Sequence, residues 1–419
     1  MKDYFIYRKA LNLTKKYGQE HLLAFWNEID DSQKEQLLES VKNTDFELVM
    51  SLYKMAQSGE KNESGEIKPI GVTVQNNLSE EKRKAYRERG LEIMKNGQFA
   101  SVTMAGGQGT RLGHQGPKGT YNIDVPGADS LFEIQANRLK RKSEKCGHSI
   151  PWYIMTSREN NDDTVKFFEE NDYFGYPKED VMFFRQFMLP MIDFSGRIVL
   201  EDKWKIKEGA DGHGGIFRAM AANGVIEDMV KRGVKWAFIG GIDNVLVKLC
   251  DEEFAGFLDT EGYPIGGKSL IKRDPYEKAG VFCLKDGLPF VVEYTEVSKE
   301  MAEMTDSSGE FVYGDAHILC NMFGIEALKS MKGKGLPYHV AVKKTAYIDA
   351  DGNKITPEKP NAYKFEAFIF DAFSMAGSMG IYRVSRENEF APVKNKEGED
   401  SPETARAMYL KALENGTCD

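Results

Sequence analysis

Residues 99–113 read FASVTMAGGQGTRLG: an uncharged, largely apolar run from Phe99 to Ala105 opens directly into Gly106, Gly107, Gly109 and Gly113, with Pro117-Lys118-Gly119 close behind. A short apolar run bounded by glycines predicts a strand buried on both faces, the habit of a parallel sheet. The glycines have a physical use. Without Cβ the chain reaches left-handed turns and brings several backbone N–H groups close to an anion, as phosphate-cradling loops do. Arg111 and Lys118 add two positive charges to the loop, which suits the terminal phosphates of a nucleoside triphosphate or a leaving pyrophosphate. A plain Gly-rich structural turn is the alternative. A dinucleotide fingerprint beginning at Gly107 is excluded, because it needs glycine where Leu112 stands.

Working outward, short apolar runs alternate with helical stretches from Phe99 to roughly Leu336, the rhythm of a mostly parallel sheet covered on both faces. The expected strands are Phe99–Ala105, Pro151–Thr156, Val181–Gln186, Trp236–Ile239 and Val281–Leu284. Helices fit between them at Leu131–Lys145, behind a Ser130-x-x-Glu133 capping box, and at Ile216–Asn223 and Ile226–Arg232. Upstream, Tyr4 to Gln57 reads as helical, with a capping box at Ser32-x-x-Glu35. A polar stretch then precedes a charged helix, Ser79–Met94, that stops at Asn96-Gly97. Downstream, extended segments His339–Ile348 and Ile381–Val384 flank a helix carrying Phe365, Phe368, Ile369 and Phe373, and a last helix opens at Ser401-Pro402. This predicts three regions: an N-terminal helical region, 1–96, a central α/β domain, 97–336, and a small C-terminal α+β domain, 337–419.

The 419 residues carry 65 acidic and 56 basic side chains, a formal net charge of −9. That balance argues against a nucleic-acid partner, which a basic surface must hold. Five scattered cysteines, odd in number and never in C-x-x-C, disfavour a disulfide framework and a thiolate metal site and suit a reducing cytoplasm. The N-terminus has no signal-peptide pattern, and no run of 18 uncharged apolar residues predicts a membrane span.

Two further segments carry chemistry. Asp211-Gly-His-Gly-Gly-Ile-Phe-Arg218 leads into a helix, and its glycines allow close approach of a ligand near a helix N-terminus, with His213 as the candidate contact. Trp236-Ala-Phe-Ile-Gly-Gly-Ile-Asp243 is an apolar strand that delivers one carboxylate at its C-terminal end, where ligands bind in open α/β sheets. Magnesium takes one or two protein carboxylates and completes its shell with substrate phosphates and water, so Asp243 is the candidate metal ligand. An Asp-Asn turn is the alternative reading. Gln186, Glu293, Glu296 and Lys394 are weaker signals on spacing alone.

Together these strings resemble the eukaryotic-type UDP-sugar pyrophosphorylases, UTP:sugar-1-phosphate uridylyltransferases, and most closely their UDP-N-acetylglucosamine branch. The likeness runs through Gly18-Gln-Glu-His-Leu-Leu-Ala-Phe-Trp-Asn27, the GGQGTRLG…PKG loop, Gln-x-Met-Leu-Pro, Gly-His-Gly-Gly, Ile-Asp-Asn-Val-Leu-Val-Lys, Glu-Tyr-Thr-Glu and Pro-Val-Lys-Asn. It implies a glycosyltransferase-A-like, Rossmann-like nucleotide-binding domain with a helical extension and a small C-terminal domain. It further implies that Gly106, Gly107, Arg111 and Lys118 hold the triphosphate and that Gln186 and Gly212 meet the uracil. Asp243 would take Mg2+, Gly280 and Glu293 the sugar, and Lys394 the phosphate bridge. Two positions depart from the branch: His213 and His317 stand where it tends to have asparagine, and both touch the implied sugar pocket.

The expected substrates are UTP and a hexose 1-phosphate, N-acetylglucosamine 1-phosphate first and glucose or galactose 1-phosphate as the alternative. A non-catalytic nucleotide-sugar sensor is the rival from another class. The catalytic problem is repulsion between two polyanions, which the cations of Arg111, Lys118 and Lys394 would relieve without any protein nucleophile.

Overall fold

The structure, a computed structural model, describes residues 2–59 and 65–417. Its backbone gathers into two compact units, each drawn from several stretches of chain. The first comprises residues 1–64, 187–215 and 336–368, and the second 65–186, 216–335 and 369–419.

The second unit is built on an 11-stranded sheet. Its main path runs Val72–Val74, Gly380–Arg383, Ile265–Ile271, Asp315–Gly324, Trp236–Gly241, Phe99–Met104, Trp152–Thr156, Val181–Arg185, and the hairpin Val281–Lys285/Leu288–Val292, with Ile67–Lys68 paired to it, lies off it. Along this path every pairing is parallel except the two made by Asp315–Gly324. Phe99–Met104, Trp152–Thr156 and Trp236–Gly241 are buried at every residue, as continuous apolar runs inside a covered sheet must be. The register sets Met104 opposite both Gly241 and Met155, so these strands end level with one another.

Helices pack against the sheet around one core cluster. Leu131–Cys146 is capped where expected, the Ser130 hydroxyl accepting from the Glu133 amide. Glu80–Lys95 starts behind Ser79, which accepts from the Lys82 amide. That helix crosses Glu252–Glu261 at two glycines. A Cβ on Gly90 would sit 1.8 Å from the Glu252 carbonyl oxygen, and one on Gly256 1.8 Å from the Tyr86 carbonyl oxygen.

The first unit packs the helices Lys2–Lys16, Asp31–Asn43 and Phe46–Ser58 with a three-stranded sheet, His339–Lys343, Ala362–Glu366 and Ile192–Asp193. Its core includes Leu37, Val41, Val49, Ile192 and Phe365. The buried amide of Gln19 donates to the Gly196 carbonyl and accepts from the Ile198 amide, tying a helical turn to the segment that follows Ile192–Asp193.

The mixed, mostly parallel α/β fold agrees with the sequence reading, and several details differ. The second helix is capped by Asp30 in a reciprocal box with Gln33, not by Ser32, because the helix starts two residues earlier than the apolar pattern suggests. The helix expected around Phe365 to Phe373 is a strand, Ala362–Glu366, followed by the 3-10 segment Ile369–Ala376. Gly380–Arg383 joins the large sheet, parallel to Ile265–Ile271.

The helix crossing yields a stability test. Gly256→Ala drives a methyl into backbone that no rotamer change can clear, at a cost of about 3 kcal/mol. Thermal unfolding of the purified variant is expected many degrees below the parent.

Candidate functional site

The loop after Phe99–Met104 is held open by its own backbone. The Gly109 amide donates to the Gly116 carbonyl at 3.0 Å, and the Lys118 amide to the Gly107 carbonyl at 3.0 Å. Gly113 at φ +73° and Gly116 at φ +139° take turns that a side chain would strain. Two glycines serve close approach instead. A Cβ on Gly106 would lie 2.3 Å from the Gln186 side-chain nitrogen, and one on Gly119 would enter the Phe132 ring at 2.1 Å. Gln186, arriving at the end of Val181–Arg185, therefore packs directly on the start of the loop.

Asn160 also braces it, a residue the sequence reading passed over. Fully buried, its amide nitrogen donates to the carbonyls of Ala105 (2.9 Å) and Gly107 (3.2 Å), while its oxygen accepts from the Ser157 amide. An asparagine in Arg-Glu-Asn-Asn carries no local signal of that reach. Arg111 is exposed and makes no ion pair among the described residues.

Asp243 stands two residues beyond Trp236–Gly241, at the same sheet end. The Ile242 amide donates to the Met104 carbonyl, and a buried chain from Trp152 Nε1 through Thr103 and Gln135 reaches the Gly241 carbonyl. Lys118 Nζ lies 3.7 Å from Asp243 Oδ2, with the two side chains 17% and 28% exposed. The segment before Lys394 is stapled to the same turn. Val393 donates to the Asp243 carbonyl, and the Asn244 side chain donates to the Glu389 carbonyl and accepts from the Ala391 amide. Lys394 itself pairs with Asp400 at 3.5 Å.

Gly280, Glu293 and His317 form a second group in this unit. The His317 amide donates to the Gly280 carbonyl at 2.9 Å, and a Cβ on Gly280 would come within 3.1 Å of Glu293 Oε1. The His317 ring meets Phe282, Phe370 and Phe373 edge-on, with centroids 5.2–5.9 Å away, and its Nε2 lies 3.1 Å from Asn321 Oδ1.

Gly212 and His213 belong to the first unit. There the glycines serve packing within the chain. A Cβ on Gly212 would lie 2.2 Å from the Ala367 carbonyl oxygen, and one on Gly214 would strike Phe368 backbone at 2.6 Å. The His213 ring lies 5.2 Å from that of Phe368, which in turn lies 4.6 Å from His339.

One other stretch, residues 262–269 (GYPIGGKS), matches the spacing of a G-x-x-x-x-G-K-[ST] phosphate loop. The structure gives it another use. Gly267, Lys268 and Ser269 lie inside the strand Ile265–Ile271, and the Lys268 ammonium is enclosed between Asp251 and Glu389.

A glycine-rich loop and a lone carboxylate, both at the carboxyl ends of parallel strands, stand where nucleotide-binding α/β proteins place their ligand sites. A family model described as UTP–glucose-1-phosphate uridylyltransferase matches residues 44–399. The chain is 37% identical over 415 residues to UDP-N-acetylhexosamine pyrophosphorylase-like protein 1 of Xenopus tropicalis, covering 94% of this chain and 81% of that one. To UDP-N-acetylglucosamine pyrophosphorylase of Saccharomyces cerevisiae it is 36% identical over 417 residues, covering 94% and 87%. The crystal structure of the uridine diphosphate N-acetylglucosamine pyrophosphorylase from Trypanosoma brucei in complex with inhibitor is similar at TM-score 0.82 and 28% identity, covering 99% of this chain and 87% of that one. The chain belongs to the UTP–glucose-1-phosphate uridylyltransferase family, the UDP-sugar pyrophosphorylases, and is an enzyme of the nucleotidyltransferase class. No helix among the described residues is long and apolar enough to cross a membrane.

Asn160 gives a test of the loop. Asn160→Ala frees both carbonyls and is expected to lower kcat/KM for the nucleotide about tenfold or more through lost positioning. Steady-state pyrophosphate release checks it, with circular dichroism to show the fold retained.

Proposed function

We propose that the chain transfers a uridylyl group from UTP to a hexose 1-phosphate, N-acetylglucosamine 1-phosphate foremost, and releases pyrophosphate. The observation that carries the reading is the 3.7 Å approach of Lys118 to Asp243 at the mouth of the glycine-rich loop. A cation and a carboxylate there face one space at the carboxyl ends of the strands, and Gln186 touches the loop's first glycine. The names of the relatives support N-acetylglucosamine 1-phosphate as acceptor.

In the reaction a phosphate oxygen of the sugar 1-phosphate attacks the α-phosphorus of UTP. One P–O bond forms, the bond from the α-phosphorus to the bridging oxygen of the β-phosphate breaks, and pyrophosphate leaves with both electrons of that bond. The attacking group is already ionised at neutral pH, so no protein base or nucleophile is needed. Backbone amides at Gly106 and Gly107, with Arg111 and Lys118, hold the triphosphate and offset its charge. Lys394 acts on the phosphate bridge, Gln186 and Gly212 on the uracil, and Gly280, Glu293, His213 and His317 on the sugar.

Asp243 suits magnesium. The described residues contain no group of three or more His, Cys, Asp or Glu that could hold a metal, and a lone, partly exposed carboxylate fits an ion that completes its shell with substrate phosphates and water. Such an ion, when bound, supplies Lewis-acid neutralisation of phosphate charge.

A second reading, the same transfer to glucose 1-phosphate or galactose 1-phosphate, rests on histidine at positions 213 and 317. We also place the protein in a reducing cytoplasm. Cys146, Cys250, Cys283 and Cys320 are buried free thiols, and burial pushes Cys283 and Cys320 up to about 12.

Asp243→Ala and Lys118→Ala are each expected to cut kcat by about 10²–10³, as loss of one charged stabiliser does, with the melting temperature unchanged. Uridylyl transfer at the parent rate by either variant overturns the assignment. Pyrophosphate release with N-acetylglucosamine, N-acetylgalactosamine, glucose and galactose 1-phosphates side by side decides the acceptor. The highest kcat/KM is expected for N-acetylglucosamine 1-phosphate, and a preference for glucose or galactose 1-phosphate adopts the second reading.

A further inference from the structure

The long strand Asp315–Gly324 is interrupted where it passes the site. On one side its pairing with Trp236–Gly241 reaches only as far as Gly240 opposite Cys320. On the other, Gly267 faces Asn321 and Ser269 faces His317, so one strand advances two residues while the other advances four. The surplus is a β-bulge, and Leu319 at its centre has φ +55°. Seven non-glycine residues among those described have positive φ. Six lie in turns, loops or 3-10 segments, and Leu319 alone lies inside a strand.

A left-handed leucine costs about 1–2 kcal/mol, and glycine would relieve it. The bulge does two things that a regular strand could not. His317 and Asn321, about 13 Å apart in an extended chain, meet at 3.1 Å between Nε2 and Oδ1. The leucine side chain also lies over the bare α-carbon of Gly241. Leu319 Cδ2 lies 3.6 Å from where a Cβ on Gly241 would stand, and Asp243 Oδ1 lies 2.6 Å from that same point. The methyl and the carboxylate therefore share the space that the missing side chain leaves.

We propose that Leu319 is a positioning residue for the reaction. It walls one flank of the Asp243 carboxylate, keeping that group turned toward Lys118 and the substrate phosphates, and the same bulge seats His317. The inference rests on Asp243 being the carboxylate that the transfer needs. Bulges beside active sites commonly re-aim a side chain in this way.

Leu319→Gly separates this role from packing, because glycine accepts the left-handed backbone and removes only the wall. The variant is expected to unfold within a few degrees of the parent, to lose about tenfold or more in kcat with KM for UTP little changed, and to bind Mn2+ more weakly in the presence of UTP by electron paramagnetic resonance. Leu319→Met, which keeps the bulk, is expected to retain most turnover. If Leu319→Gly does not fold, Leu319→Asn, which also tolerates this backbone, is read in its place. Parent-like kcat and Mn2+ affinity in Leu319→Gly, with Asp243→Ala inactive, overturn the wall and leave the carboxylate's role standing. Activity in Asp243→Ala sinks the underlying reading instead. Parallel losses of melting temperature and activity in the Gly and Met variants mark a packing residue and overturn the proposal.

Discussion

Parallel pairing of Phe99–Met104 with Trp236–Gly241, Met104 opposite Gly241, is the constraint on which the site depends. Side chains alternate along a strand, so a one-residue slip would turn every buried position on these strands to the other face. Because both strands are buried throughout, such a slip would disturb packing above and below the sheet at once. The chain leaves the two strands at one level, and it leaves them as glycines: Gly106 and Gly107 on one, Gly240 and Gly241 on the other. Backbone amides and one carboxylate can then stand at the same sheet end, where the proposed site lies, without Cβ atoms between them.

A second fixture sits two strands further along, beyond Asp315–Gly324. Lys268 is fully enclosed by Asp251 and Glu389, and Lys248 lies 3.3 Å from the other oxygen of Glu389. Burial alone would raise the Asp251 carboxyl, but the Lys268 and Lys248 charges outweigh it and hold that group well below the usual carboxylate range. Burial would likewise lower the Lys268 ammonium, and the two carboxylates drive it above its ordinary value instead. Two positive and two negative groups leave the cluster neutral, whereas removing any one strands a charge in the interior at about 3–5 kcal/mol. Glu389 also presents the carbonyl to which the Asn244 side chain donates, so the cluster anchors the stretch that runs on through Val393, bonded to Asp243, to Lys394.

What was legible in the sequence was local. Uniform apolar runs gave the strands Phe99–Met104, Trp152–Thr156, Val181–Arg185 and Trp236–Gly241, and Ser130, Ser79 and Ser401 stand at the helix starts they predict. The strand Ile265–Ile271 escaped notice because Gly266, Gly267, Lys268 and Ser269 read as polar, and Lys268 is tolerable inside a sheet only through partners 17 and 121 residues away. The glycine-rich loop and Asp243 were visible as candidates from their residues, whereas Gln186, Gly280 and Lys394 rested on resemblance alone. Asn160 and Leu319 were invisible to both. Their surroundings come from hydrogen bonds spanning more than 50 residues and from a register break, and neither leaves a pattern in nearby sequence.

Two of the lysine–carboxylate arrangements in this unit show how burial divides labour. In the enclosed cluster neither partner can be spared, since water cannot take the place of a lost counter-charge, and the geometry is fixed. Lys118 and Asp243 are 3.7 Å apart and partly exposed, where such a pair contributes about 0–1 kcal/mol. On the proposed reading, a weak pair is the suitable one, because the site receives polyanions. Both groups stay held near their working positions, yet little free energy opposes giving up that contact when phosphates present themselves to the ammonium. Had this pair been buried as Lys268 is, the proposed binding of substrate phosphates would first require breaking an interaction worth several kcal/mol, and the proposed transfer would be opposed by the fold itself.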